Sequence, residues 1–194
     1  MKFGLKTVLT AIVLLVAACE THVEVPSYAR ITFNHLPPIT LNVASVAAKT
    51  IYQKPLVAPN VEHEFPVDIA KTAENWVNGR LRAGGASGAA TLTILEASVI
   101  ETKLAKETGL TGLVTTDQGH RYDATLTASL SAEDLANQRA AEATVTVKRS
   151  QTVPEDATFN EREEIWYEMT EKLMADFNTE LEKAIAEHMT AFRQ

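Results

Sequence analysis

The chain has 194 residues, of which 45% are hydrophobic, and a formal net charge of −7. This length and apolar content suit one compact domain with a sizeable core. The acidic balance argues against nucleic acid as a partner and against electrostatic adhesion to anionic lipid, because both require clustered lysine and arginine. Cys19 is the single cysteine, so no internal disulfide is available and the fold has to rest on packing.

The first 18 residues have the composition of an export signal. Two lysines form a positive region, residues 8–16 form an apolar run, and small residues follow up to Ala18. A membrane-spanning helix needs about 20 apolar residues, and this run ends too early, at Cys19-Glu20. A plain signal peptide ending at Ala18 is the alternative, but it would leave an unpaired thiol in an oxidising compartment.

The order Val16, Ala17, Ala18, Cys19 matches the lipobox of bacterial lipoprotein precursors, and the N-terminus resembles such precursors. The resemblance implies cleavage between Ala18 and Cys19 and lipidation of Cys19 by several acyl chains, palmitate among them. Two or more chains give stable membrane anchoring. In lipoproteins of this type an aspartate after the cysteine commonly retains the protein at the inner membrane. Glu20 at that place therefore favours the outer membrane of the bacterial envelope, facing the periplasm.

The sequence predicts three parts: a signal peptide over residues 1–18, a lipid-anchored tether over 19–38, and one domain over 39–194. Three prolines interrupt the tether. In the first part of the domain, alternating apolar residues from Ile39 to Tyr52 predict a strand. Prolines predict a loop over residues 53–66. Helical spacing predicts a helix from Val67 to Ala83, capped by Asp68 and ended by Gly84-Gly85.

Three strands and a long helix are predicted for the second part. The strands run over residues 91–104, 121–130 and 141–147, and their connections suit an antiparallel meander. The connection around Gly109 to Gly119 is long and contains Leu110, Leu113 and Val114, so it is a predicted partner-contact loop. The last helix runs from a cap at Asn160 to about Phe192, with apolar residues at every fourth position: Ile165, Met169, Leu173, Phe177, Leu181, Ile185 and Met189.

The predicted fold class is α+β, in the order β-α-β-β-β-α. An antiparallel sheet of about four strands would be packed on one face by two helices, the C-terminal one long.

The chain contains few residues arranged for chemistry. The five histidines are scattered and the only thiol is assigned to lipid, so no metal site is predicted. Residues 84–88 are glycine-rich, but they follow a helix and precede a strand, which is the reverse of a phosphate-binding loop. The densest polar cluster is Asp117, His120, Arg121 and Asp123. It reads either as an acid or base beside an arginine or, preferably, as the solvated end of a hairpin. We therefore predict no catalytic or cofactor-binding residues, and no enzyme.

Two hypotheses for function follow. In outline the mature chain is similar to the auxiliary lipoproteins of envelope transport and assembly systems, such as those of ABC-type lipid transporters. This similarity implies a non-catalytic accessory protein that binds an envelope protein. The alternative is a carrier of a lipid or other apolar ligand, held in a cavity between the sheet and the last helix. Ala128, Ala141 and Ala143 would leave space for that ligand unless Met169, Met174 and Phe177 fill it.

Overall fold

A computed structural model describes residues 27–105 and 118–193. The predicted signal peptide, its cleavage site at Ala18 and Cys19, and the loop residues Leu110, Leu113 and Val114 lie outside these ranges. The elements, in chain order, are β1 (Ile39–Leu41), β2 (Ser45–Thr50), α1 (Ile69–Arg80), β3 (Leu81–Ala83), β4 (Ala89–Lys103), β5 (Gln118–Asp134), β6 (Arg139–Pro154) and α2 (Phe159–His188).

The main sheet has four strands in the order β2-β4-β5-β6, and β4, β5 and β6 form the predicted antiparallel meander. The strand β2 is added at one edge in parallel to β4. A parallel pair needs a crossover connection, and the chain makes it through α1. The α+β class and the long C-terminal helix are thus confirmed, while the sheet is mixed rather than wholly antiparallel.

The predicted strand from Ile39 to Tyr52 is two strands in two different sheets. The chain bends over residues 42–44, where the amide of Asn42 donates to the carbonyl of Phe192 at 2.6 Å. The alternation of apolar residues continues through the bend because Leu41 and Val43 are both buried. A side-chain pattern therefore did not reveal the break.

The first helix is shorter than predicted. Asp68 caps it as expected, its carboxylate accepting from the amide of Lys71 at 2.9 Å. The helix ends at Arg80, however, and the next three residues form β3, which pairs in parallel with β1. Leu41 and Leu81 are both buried in this small second sheet. Burial of that pair outweighs the helical spacing, and Gly84-Gly85 ends a strand instead of a helix.

The long helix α2 begins at a capping box. The hydroxyl of Thr158 accepts from the amide of Glu161, and the Glu161 carboxylate accepts from the amide of Thr158. The cap is therefore Thr158 and not Asn160. The helix ends at His188, and Thr190–Phe192 forms a 3₁₀ turn that buries Phe192. Of the elements in the two described ranges, no helix has the length and apolarity to cross a membrane.

Both helices cover the same face of the main sheet, and their contact forms the core. Trp76 of α1 meets Phe177 of α2 edge-on, with ring centroids 5.9 Å apart. Arg80 is buried beside them and donates to Asn178, Glu182 and the carbonyl of Pro37. Both tryptophans, at positions 76 and 166, are buried in this core.

The stretch from residue 27 to residue 38 has no helix or strand and lies across the two helices. Tyr28 packs on Tyr167 of α2, with ring centroids 5.1 Å apart. Phe33 is buried against Gly79 of α1, where a Cβ would come within 3.2 Å of the Phe33 side chain. This stretch is therefore fixed to the domain from Tyr28 onward.

Candidate functional surfaces

The predicted polar cluster does not converge on one point. His120 shares the helix-covered face of β5 with Tyr122, whereas Arg121 and Asp123 lie on the other face and pair with each other at 2.9 Å. Asp117 lies outside the described ranges. The alternation of a strand thus separates the acid–base candidate from the arginine, as expected for the end of a hairpin.

His120 and its neighbours form an aromatic and polar group at this end of the sheet. Its Nδ1 lies 3.0 Å from Oε1 of Glu101, at ion-pair distance but outside hydrogen-bond geometry. The hydroxyl of Tyr122 donates to the same oxygen at 2.6 Å. Burial, followed by this hydrogen bond, raises the pKa of Tyr122 well above its ordinary value. Trp166 covers Tyr122 edge-on at 5.3 Å, so the group faces the core.

A second polar group braces the turn between β5 and β6. The buried carboxylate of Asp134 accepts from Arg139 at 2.7 Å, from Asn137 at 2.7 Å and from Ser87 at 3.0 Å. These hydrogen bonds, that of Arg139 first, lower the pKa of Asp134 to about 2. Those three bonds go to Oδ2, and the backbone amide of Asn137 donates to Oδ1, so both carboxylate oxygens accept hydrogen bonds. This group is a structural brace, and it occupies Ser87 of the glycine-rich stretch.

Within residues 27–105 and 118–193, no three histidine, cysteine, aspartate or glutamate side chains are arranged to hold a metal ion. The glycine-rich stretch makes a packing corner: a Cβ on Gly85 would lie 2.6 Å from the amide nitrogen of Val43. The carbonyls of Ser87 and Gly88 both accept from the amide of Ala44. This corner requires glycine because two backbones approach closely, which is unrelated to binding phosphate.

The space considered for an apolar ligand contains core side chains. Ala128 and Ala143 are buried and Ala141 is half-buried. Met169, Met174 and Phe177 are almost completely buried in the same cluster. The core at these positions is close-packed, as is usual in proteins, and gives the carrier hypothesis no support.

The opposite face of the main sheet is not covered by either helix. Both helices lie on the other side, and alternate residues of β4, β5 and β6 point away from them. In the middle of these strands the outward residues are mostly hydroxyl side chains. We call this surface the hydroxyl face; its residues are Thr91, Thr93, Ser98, Thr125, Thr127, Ser129, Ser131, Thr144 and Thr146.

Hydrogen bonds connect hydroxyls of neighbouring strands and also connect two of the serines to glutamates on the same face. Thr127 and Thr146 are hydrogen-bonded at 3.1 Å between their hydroxyl oxygens. Ser129 donates to Glu142, and Ser98 donates to Glu96 at 2.7 Å. Short hydroxyl side chains lose little rotamer entropy when a partner covers them, and each both donates and accepts.

A second surface lies at the β2 edge of the sheet. Four large apolar residues are exposed there, and we call them the apolar edge patch: Ile51, Leu56, Val57 and Leu95. The amide of Ile51 donates to the carbonyl of Ile94, which places Ile51 beside Leu95. Leu56 and Val57 are 64% and 63% exposed. Exposed apolar residues that lie together on a surface often mark contact with a protein or a membrane.

Sequence reasoning missed both surfaces although their signals are visible in the sequence. The stretch Pro55-Leu56-Val57-Ala58-Pro59 is uncharged within a predicted loop. The threonines and serines of β5 and β6 alternate with apolar residues. This alternation predicts strands, and the hydroxyls of its polar half predict one uncovered face rich in threonine and serine.

No family model matches the chain, and no curated protein matches it. Among solved structures, a minor lipoprotein from Acinetobacter baumannii is similar, with 12% identity and a TM-score of 0.34, over 74% of this chain and 92% of that one. Rare lipoprotein B from Shewanella oneidensis has 8% identity and a TM-score of 0.30, over 70% and 94%. These similar structures are bacterial lipoproteins by name, but likeness at this level supports no inference about activity.

Proposed function

We propose that the protein is a lipid-anchored accessory protein of the bacterial envelope, acting on the periplasmic side without catalysis by binding another protein. The lipobox over Val16–Cys19 supports the anchor. Cys19 would carry the acyl chains, and Glu20 after it favours the outer membrane over the inner one. The observation that carries the binding role is the hydroxyl face, because it extends over three strands and most of its central side chains are hydroxyls.

The composition of that face suits coverage by a protein. Solvated sheet faces usually present long charged side chains, which keep proteins soluble. Lysine and glutamate are depleted at the centres of protein interfaces, since they cost much to desolvate and to order. One central row of the hydroxyl face avoids this cost, since Thr93, Ser129 and Thr144 lie side by side across three strands. In the next row Thr127 and Thr146 lie beside a single charged residue, Glu96.

The experiment places a photo-cross-linking amino acid at Thr127 in the full-length protein within intact cell envelopes. The expected result is one cross-linked envelope protein of discrete mass. The same cross-linker at Thr179, an exposed threonine on α2, should not capture it. Thr146→Arg, added to the Thr127 cross-linking chain, should abolish the product because the arginine would stand in the contact. The chain with the cross-linker at Thr127 should unfold at the same urea concentration as the wild type, with or without Thr146→Arg.

Two outcomes would count against the proposal. If cross-linking at Thr127 survives Thr146→Arg, the captured protein does not cover the hydroxyl face. If no protein is retrieved from wild-type or Cys19→Ala chains while extracted lipid co-purifies, the carrier is the better account.

A further inference from the structure

We propose that the loop Pro55–Pro59 inserts its apolar tip, Leu56 and Val57, into the interfacial region of a zwitterionic phospholipid bilayer. This contact rests on the lipid anchor of the proposed function and adds a second point of attachment. The acyl anchor would hold the domain at the membrane, and the loop would fix the orientation of the domain there.

The first argument is that the loop is apolar and exposed beyond what folding requires. Its five residues carry no charge, and Leu56 and Val57 are 64% and 63% exposed. Leu56 has φ of 56°, in the left-handed region that glycine or asparagine adopts more readily. Neither packing nor backbone conformation accounts for a leucine at this place, whereas insertion of its side chain does.

The second argument is that the loop is held in shape before any contact. On one side Lys54 donates to Asp68 at 2.7 Å. On the other side the backbone amide of Glu101 donates to the carbonyl of Pro59 at 2.9 Å. Within the turn, the backbone amide of Asn60 donates to the carbonyl of Val57 at 3.0 Å. A preorganised tip loses little conformational entropy when it is buried.

The third argument is the position of the loop relative to the anchor. Asp68, which holds Lys54, lines the same groove as Tyr28 and Ile31. The described chain therefore begins close to the base of the loop. Only eight peptide units separate Cys19 from Ser27, so covalent geometry limits that connection to roughly 28 Å. An acylated Cys19 would hold the loop near the bilayer surface, which favours the membrane over a distant protein as its occupant.

The charge of the chain decides which bilayer is expected. The formal net charge of −7 disfavours approach to anionic lipid. Among nearby acidic groups, Asp68 is paired with Lys54, and Glu62 is buried and bonded to Tyr52. Contact at the tip is therefore driven by apolar surface and not by charge, and we expect added anionic lipid not to strengthen it.

The test measures depth with a fluorophore on the full-length acylated protein. In that protein the lipidated Cys19 has no free thiol, so Val57→Cys provides a single labelling site for an environment-sensitive dye. The protein is reconstituted in phosphatidylcholine vesicles that contain nitroxide-labelled lipid. The matched control is Leu135→Cys, since Leu135 is 86% exposed in the turn after β5. Leu135 follows the end of β5 that pairs with Ala89, whereas Pro59 is bound to Glu101. Ala89 and Glu101 are twelve residues apart on β4, so the two labelled positions are separated by about 40 Å along the strand.

We expect nitroxide quenching of the dye at position 57 to exceed that at position 135 by at least about fivefold. Leu56→Asp should reduce quenching at position 57 to the control value, whereas Leu135→Asp should leave it unchanged. Equal quenching at both positions would overturn the proposal. A protein partner for the patch would be indicated if position 57 is shielded only in native envelopes and not in vesicles, which also overturns it.

Failure of the anchor is distinguished by vesicle flotation. A chain that floats with the vesicles but shows no quenching at position 57 refutes the loop contact and leaves the anchor intact. A chain that does not float, and whose mass lacks acyl groups, refutes the anchor and the loop contact together.

Discussion

The side-chain amide of Asn178 connects the two helices and, through Arg80, the stretch before β1. Its oxygen accepts from Nε1 of Trp76 at 2.9 Å and from Nε of Arg80 at 3.0 Å. Arg80 also donates to the carbonyl of Pro37. A buried guanidinium is tolerated only when its donors are satisfied, so Asn178 is required for the packing of all three segments.

Replacement of Asn178 by alanine should destabilise the fold strongly. Two buried donors would lose their acceptor, each at about 1–3 kcal/mol, so we expect the free energy of unfolding to fall by about 2–6 kcal/mol. Urea denaturation followed by tryptophan fluorescence measures the change. Asn78→Ala, at an exposed position of α1, is the control and should change the midpoint little. Equal midpoints for the two variants would contradict the assigned role.

Asp134 should make stability depend on acid pH. Its hydrogen bonds hold the folded-state pKa at about 2, below the ordinary value of 3.8. A lowered folded-state pKa stabilises the protein above the unfolded pKa, and that contribution is lost as pH falls from about 4 through 2. Asp134→Asn should therefore be less stable than wild type at pH 6, and the difference should shrink on acidification.

The measurement is urea unfolding of both proteins at several pH values from 6 to 2.5. Asp156→Asn changes an exposed carboxylate and serves as the control for general acid effects. A wild-type advantage over Asp134→Asn that stays constant across this range would show that the charge of Asp134 is not involved.

Among the elements, α2 offers a direct comparison between sequence and structure at its first turn. The sequence places an asparagine and a threonine two residues apart, and both are good cap residues. Each is followed at the third position by a glutamate, Thr158 by Glu161 and Asn160 by Glu163. The capping-box spacing therefore occurs twice in the sequence, and only the structure shows that it is completed at Thr158.

Thr158→Ala should lower the free energy of unfolding by about 1 kcal/mol, the usual cost of losing a cap. Thr158→Ser keeps the accepting hydroxyl and should stay close to wild type, and Asn160→Ala should also have little effect. Thermal unfolding monitored at 222 nm separates the three variants. A larger loss for Asn160→Ala than for Thr158→Ala would restore the original prediction of the cap.

The element order could be predicted because period-two and helical spacing are local signals. Which strands pair with each other could not be predicted from these local signals. The alternation at Leu41 and Val43 is the same whether the strand is continuous or bent, and the bend depends on Phe192 at the far end of the chain. The parallel edge strand β2 and the small sheet of β1 with β3 likewise depend on contacts between distant segments. The exposure of Leu56 likewise follows only from the fold, whereas the alternation of hydroxyl and apolar side chains in β5 and β6 is visible in the sequence.

For the molecule as a whole, the filled core predicts a large cost for removing its central ring. Phe177 is fully buried between the sheet and α1. Phe177→Ala should therefore lower the free energy of unfolding by about 3–5 kcal/mol. Phe159→Ala, at a position 68% exposed, should change it by less than about 0.5 kcal/mol. Chemical denaturation of the two variants gives the comparison, and a small loss for Phe177→Ala would indicate space in the core and revive the carrier.

The pairing of residues 41–42 with residues 192–193 sets a schedule for folding during synthesis. Leu41 forms a bridge with Arg193, and the amide of Asn42 is bound by Phe192. Ribosomes make these partners roughly 150 residues apart, a delay on the order of 10–30 s at ordinary elongation rates. Until residues 192 and 193 emerge, Leu41 and Asn42 lack these partners. The native pairing at residues 41–42 is therefore completed only after translation of residue 193.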